Sequence, residues 1–93
     1  MIRSFADPET KLIWSGRRSR KLPPDIQPVA LRKLRLLNQA HVLQDMRVPP
    51  GNRLEAKGER KGQHSIRIND QWRIYFKWHD GGQSDVEIVD YHD

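Results

Sequence analysis

The clearest pattern lies in the second half of the chain, where apolar and polar residues alternate. His64 to Ile68 and Trp72 to Trp78 hold strict alternation and are rich in β-branched and aromatic residues, which predicts two neighbouring strands. Val86 and Ile88, set against Glu87, Val89 and Tyr91, predict a last strand that runs almost to residue 93. Chain ends ordinarily fray, so such an ending implies a strand paired inside a sheet. Upstream, Arg53-Leu54-Glu55-Ala56-Lys57 alternates as a shorter strand after the breaker Val48-Pro49-Pro50-Gly51-Asn52, and Ile2 to Phe5 suits a short strand added to an existing sheet. Residues 58–62 and 79–84 read as the connecting turns.

The first half carries helical signals. Asp7-Pro8-Glu9 places an acid at an N-cap, proline at the first helical position and a carboxylate in the first turn, and Gly16 supplies the stop. Asp25 is the expected cap of a longer helix that keeps Pro28 in its first turn and runs to about Leu43. At about 100° per residue, Ile26, Val29, Ala30, Leu34, Leu37 and Ala40 fall on one arc. Lys33 falls inside that arc and is expected to snorkel along it. Between the helices, Arg17-Arg18-Ser19-Arg20-Lys21 reads as a basic loop or frayed turn, either a solvated connector or a phosphate-binding arm. The expected architecture is α+β: two helices on one face of a twisted, mostly antiparallel sheet, in a single domain spanning 1–93.

Burial decides the strand register. A two-residue loop of Asn69-Asp70 would oppose Ile66 to Arg73, mixing an apolar and a charged residue on one sheet face. A three-residue loop, Asn69-Asp70-Gln71, sets Ile66 against Ile74 and His64 against Phe76 on the core side. It sets Arg67 against Arg73 and Ser65 against Tyr75 on the other. If Trp78 then opposes Val86, Arg73 opposes Tyr91. The face left by the helices would carry Arg53, Lys57, Arg67, Arg73, Tyr75, Lys77 and Tyr91.

Composition narrows what that face could meet. The chain has 93 residues, no cysteine, and 17 Lys and Arg against 12 Asp and Glu, for a net charge of +5 and a pI near 10.0. Without disulfides it needs a continuous core, and without a leader-like or membrane-length apolar run it reads as cytoplasmic with no membrane partner. The positive balance favours a polyanion. Arginine forks and lysine point charges suit phosphates, and phenol rings stack on unpaired bases, a combination that fits single-stranded RNA. The competing reading is an ordinary solvent face with Glu55 and Glu87 as cross-strand ion-pair partners.

RNA cleavage by attack of the 2′-hydroxyl on the adjacent phosphate needs a base, an acid and cations, and no metal. Asp90 and His92 are the base and acid candidates, Arg73 and Lys57 the charge stabilisers, and Tyr91 a stacking or positioning group. Strict alternation puts Asp90 and His92 on the face opposite Tyr91, so the strand must twist or end near Asp90 for the three to converge. His41 reads as a helix C-terminal dipole partner, His64 as a core imidazole and His79 as a loop residue. Their spacing does not suggest a metal site, and no cofactor is expected.

Lys57-Gly58-Glu59-Arg60, Gly62-Gln63-His64-Ser65-Ile66-Arg67, Trp72-Arg73-Ile74 and the closing Asp90-Tyr91-His92 together resemble the HigB-type toxins of bacterial toxin–antitoxin modules, across essentially the whole chain. The element order resembles their RelE-type fold, and residues 49–56 resemble the branch that includes the GraT toxin. The resemblance implies an endoribonuclease that cuts translated mRNA in the ribosomal A site. It implies a helix-turn-helix, HigA-like antitoxin that holds the toxin inactive and carries it to operator DNA. The family's functional positions would fall on Lys57, Arg73, Asp90, Tyr91 and His92, the catalytic candidates; beside the resemblance, the basic and phenolic residues themselves give Arg53, Arg60, Arg67, Tyr75 and Lys77 as RNA contacts. Some members carry a histidine in the strand before the lysine, where this chain has Leu54. The alternatives are a non-enzymatic RNA- or ribosome-binding domain, or a corepressor subunit.

Overall fold

The computed structural model describes residues 1–56, 62–80 and 82–91. Helix α1 spans Pro8–Trp14, and its start follows the sequence signal closely. Asp7 is extended and accepts from the Thr10 backbone N–H at 2.8 Å and from the Thr10 hydroxyl at 2.9 Å. Gly16, at φ 80°, turns the chain out of the helix.

The basic stretch that follows is ordered. Ser19 is buried, its N–H donating to Gln27 Oε1 at 3.0 Å and its hydroxyl to Glu9 Oε1 at 2.6 Å, while Gln27 Nε2 donates to the carbonyls of Ser19 and Leu22. The loop is therefore a fixed connector with Arg17, Arg18, Arg20 and Lys21 exposed.

Helix α2, Gln27–Gln39, follows a 3₁₀ turn over Pro24–Ile26 and starts without a side-chain cap, so Asp25 does not play the expected role. It also stops four residues before Leu43. Ala40 is extended, and the N–H groups of His41 and Val42 donate to the Asp45 carboxylate, which opens a separate 3₁₀ turn at Leu43–Arg47. Local side-chain acceptance has outcompeted helix continuation. His41 thus lies beyond the helix and is not its dipole partner.

Strands β1 (Glu55–Ala56), β2 (Gln63–Arg67), β3 (Trp72–His79) and β4 (Gly82–Asp90) form one sheet in the order β1-β2-β3-β4, with every neighbouring pair antiparallel. Arg53, in a left-handed conformation at φ 44°, is not part of β1, contrary to the alternation that included it. The β2–β3 register is the three-residue-loop solution: Ile66 faces Ile74, His64 faces Phe76, Ser65 faces Tyr75 and Arg67 faces Arg73.

The β3–β4 register differs from expectation. Trp72 pairs with Asp90, Arg73 with Val89, and Tyr75 with Glu87; past a bulge, Trp78 pairs with Gln83 and His79 with Gly82. Trp78 is not the cross-strand partner of Val86, nor Arg73 that of Tyr91. The reason is a tighter hairpin: β3 runs on to His79 and β4 already begins at Gly82, its partner, where the sequence pattern predicts a loop over 79–84. Asp85, at φ 51°, lies in the bulged stretch that absorbs the extra residue and keeps Val86 and Ile88 on the core face.

The outer edge of β4 is sealed by the N-terminal segment. Ile2 and Phe5 make parallel bridges to Gln83 and Val86, and Ile88 N donates to Thr10 Oγ1 at 2.9 Å. Ile13, Ala30, Leu34, Leu37 and Met46 close on Ile66, Ile74, Phe76, Val86 and Ile88 in the core. Lys33 does not snorkel: it is buried and donates to Asn52 Oδ1, and burial, with Arg32 and Arg67 nearby, pushes its pKa down. Among the described residues, no helix is long and apolar enough to cross a membrane.

Candidate functional site

The sheet face away from the helices holds a cleft of about 460 Å³, lined by Arg53, Glu55, Arg67, Asn69, Asp70, Arg73 and Tyr91. That volume suits a small-ligand site, for which about 300–1,000 Å³ is usual.

Arg73 forms its base. The residue is only 4% exposed, with Nε donating to Ser65 Oγ at 2.9 Å and Nη2 to the Arg53 carbonyl at 2.6 Å and the Ser65 carbonyl at 3.3 Å. Glu55 lies 3.8 Å from Nη2. The guanidinium carbon is 5.5 Å from the Tyr91 ring centroid, within cation–π range.

The left-handed turn at Arg53 is therefore what aims a carbonyl at Arg73. Asn52 holds that turn: it is fully buried, accepts from Lys33, and donates to the carbonyls of Met46 and Val48, each at 3.2 Å.

The opposed arginines avoid mutual repulsion by separate pairing. Arg67 pairs with Asp70 across the turn, while Arg73 is held by Ser65, the Arg53 carbonyl and Glu55. Part of the ion-pair reading is thus present on the same face as the cleft. Tyr91 meets Arg73 diagonally, two residues past its cross-strand partner Val89. Its N–H donates to the Gln71 carbonyl at 2.5 Å, which fixes the chain beyond the strand.

β4 ends at Asp90. Asp90 is exposed, receives a hydrogen bond from Gln71 Nε2 at 3.3 Å, and is absent from the cleft lining. Tyr75 and Lys77 also lie outside the lining. Tyr75 is only 6% exposed, and Lys77 pairs with Asp85 at 3.2 Å. The face is therefore a local cleft at one end of β2 and β3, not an open floor. Lys57, Arg60 and His92 lie outside the described residues.

Among the histidines, His64 is half-buried with its ring 6.0 Å from that of Phe76, and burial pushes its pKa down. His79 ends β3, where Nε2 lies 2.7 Å from Ser84 Oγ.

Sequence reasoning passed over Asn69, Gln71 and Ser65 as site residues. The turn itself offered a signal for the first. Asn69 Oδ1 accepts from the N–H groups of Gln71 and Trp72, each at 2.8 Å, the side-chain turn that asparagine favours.

Two helices against a four-stranded antiparallel sheet, with a basic cleft on the other face, form a RelE-like toxin architecture. A family model described as "RelE-like toxin of type II toxin-antitoxin system HigB" matches residues 3–92, and the chain belongs to that family. It is 46% identical over 66 residues to "Toxin HigB-1" of Vibrio cholerae serotype O1 (strain ATCC 39315 / El Tor Inaba N16961), covering 70% of each chain. It is also 34% identical over 59 residues to an uncharacterized protein of Haemophilus influenzae (strain ATCC 51907 / DSM 11121 / KW20 / Rd), covering 62% of this chain and 58% of that one. Membership in a type II system implies an antitoxin partner.

Proposed function

We propose that the protein is a ribosome-dependent mRNA endonuclease, acting as one toxin domain in the cytoplasm and cutting mRNA in the ribosomal A site. The observation that carries this reading is Arg73 beneath Tyr91 in a cleft that Arg53 and Arg67 also line. Cations suit a phosphate there, and the phenol ring suits a base or ribose.

Cleavage would proceed without a metal. A base removes the 2′-hydroxyl proton, the 2′-oxygen bonds to the adjacent phosphorus, and the bond to the 5′-oxygen breaks as an acid protonates the leaving group. The products are a 2′,3′-cyclic phosphate and a 5′-hydroxyl end. Asp90 and His92 are the base and acid candidates, Lys57 and Arg73 stabilise the charge of the crowded phosphorus, and Tyr91 positions the nucleotide. Arg53, Arg60 and Arg67 would contact the RNA backbone, with Tyr75 and Lys77 more remote from the cleft. A helix-turn-helix, HigA-like antitoxin would restrain the toxin and link it to operator DNA.

Mapping mRNA ends after incubation with translating ribosomes tests the reading. New ends carrying a 2′,3′-cyclic phosphate are expected, and intact mRNA on toxin-bound ribosomes would sink the enzymatic assignment. That outcome would favour a non-enzymatic RNA- or ribosome-binding domain. The specific observation on its side is that Arg73 is already held by Ser65 and the Arg53 carbonyl while Asp90 stands outside the lining.

A further inference from the structure

Most charged groups in the cleft suit phosphate contact, which positions RNA without distinguishing its bases. Among the described residues, Asn69 is the one neutral carboxamide in the lining. Its oxygen is committed twice, to the N–H groups of Gln71 and Trp72 at 2.8 Å each. Those partners can only donate, so the orientation of the carboxamide is fixed by the turn, and its NH₂ end is the one not engaged by it. Asn69 N also donates to the Trp72 carbonyl at 3.2 Å, which holds the residue from its backbone. The result is a half-buried, pre-oriented pair of donors beside Arg67, Arg73 and Tyr91.

We propose that Asn69 is a specificity-determining residue of this cleft, donating its side-chain NH₂ hydrogens to acceptor atoms on the edge of an RNA base. The inference rests on the RNA reading above and adds the group that discriminates between bases. Tyr91 can stack on any base because each has a π-face. A fixed donor cannot serve every edge equally: ring nitrogens and carbonyl oxygens accept, whereas exocyclic amino groups confront donor with donor.

Two substitutions separate this role from support of the turn. Asn69→Ser removes the NH₂ donors without changing charge, and its hydroxyl can still accept within the turn. Asn69→Asp keeps an acceptor oxygen for the two turn N–H groups and replaces the NH₂ donors by a second, negatively charged acceptor. Both variants and the unsubstituted protein are incubated with ribosomes translating one mRNA, their ends are mapped, and their melting curves are recorded.

The expected result is a melting transition preserved at least in Asn69→Asp, with base bias at the cut site reduced about tenfold in both variants, the scale of hydrogen-bond discrimination at a base edge. A purely structural Asn69 predicts the reverse: Asn69→Asp cuts with unaltered bias, which overturns the inference while leaving the nuclease reading intact. Absence of new ends with the unsubstituted protein overturns both.

Discussion

Arg73 and Tyr91 meet as guanidinium and phenol ring, 5.5 Å from charge centre to ring centroid, although the two residues are not cross-strand partners. The contact depends on Arg73 being immobilised by Ser65 and the Arg53 carbonyl, and on Tyr91 N being held by Gln71. One arginine therefore serves the fold and the candidate site together.

Replacing Arg73 should separate those two roles. Arg73→Ala removes the donor to the buried hydroxyl and carbonyl of Ser65 and to the part-buried Arg53 carbonyl, and a loss of about 2–3 kcal/mol in unfolding free energy is expected. Arg73→Lys keeps the charge and loses the planar fork. It should cost less stability yet lower mRNA cleavage by roughly a hundredfold, the scale of removing a positioned charge stabiliser. Denaturant unfolding beside ribosome-dependent end mapping checks this. Full cleavage by a folded Arg73→Lys would remove the guanidinium geometry from the mechanism.

Support from behind the cleft comes from Asn52, which is fully buried and joins Lys33, Met46 and Val48. Asn52→Ala strands the Lys33 ammonium in the interior and leaves two carbonyls short of a donor, for an expected loss of about 3 kcal/mol. Because Arg53 follows directly, amide exchange should also accelerate at Arg53, whose N–H donates to the Pro50 carbonyl at 3.1 Å. An unchanged unfolding midpoint would show that this network contributes little.

Much of the architecture was legible because local signals agreed with burial. Asp7, Pro8 and Gly16 marked α1, and the conflict between Ile66 and Arg73 selected the correct β2–β3 register. The β3–β4 register was missed because Val86 and Ile88 keep their parity under a two-residue shift, so alternation alone does not distinguish the alternatives. Helix α2 was overextended because the Asp45 carboxylate, not a break in apolar periodicity, terminates the pattern. Arg73 and Tyr91 stood out as residue types, but the cleft's limits depend on the left-handed turn at Arg53, which strand-like alternation concealed. Asn69 looked like a turn residue because it is one; its donor end becomes visible only once the oxygen's two partners are known.

His64 gives stability a defined pH dependence. Burial lowers its folded pKa below the ordinary 6.5, so the unfolded chain takes up the proton first as pH falls. This contribution is fully present above 6.5 and is lost as pH drops from there through the folded pKa. Asn and Gln do not titrate in this range, so His64→Gln should show a flatter dependence. The difference in unfolding free energy between the two proteins, followed downward from neutral pH, should shrink. A constant difference would mean that His64 titrates alike in both states.

Gly82 tests the seal on β4. A Cβ there would meet the Met1 carbonyl oxygen at 2.5 Å and the Arg3 side chain at 2.8 Å. The arginine can move; the backbone carbonyl cannot without disturbing the Gln83 N–H bond to Met1 O at 3.1 Å and the Arg3 N–H bond to Gln83 O at 2.7 Å. Gly82→Ala is therefore expected to displace the N-terminal segment from the strand edge at a cost of about 1–3 kcal/mol. Amide exchange should accelerate at Arg3 and Gln83 first. Ala6 N and Val86 N, which bond across the same edge to the Val86 and Ser4 carbonyls, should follow only if the whole segment peels away. Protection at Arg3 and Gln83 equal to that of the unsubstituted protein would contradict the close approach.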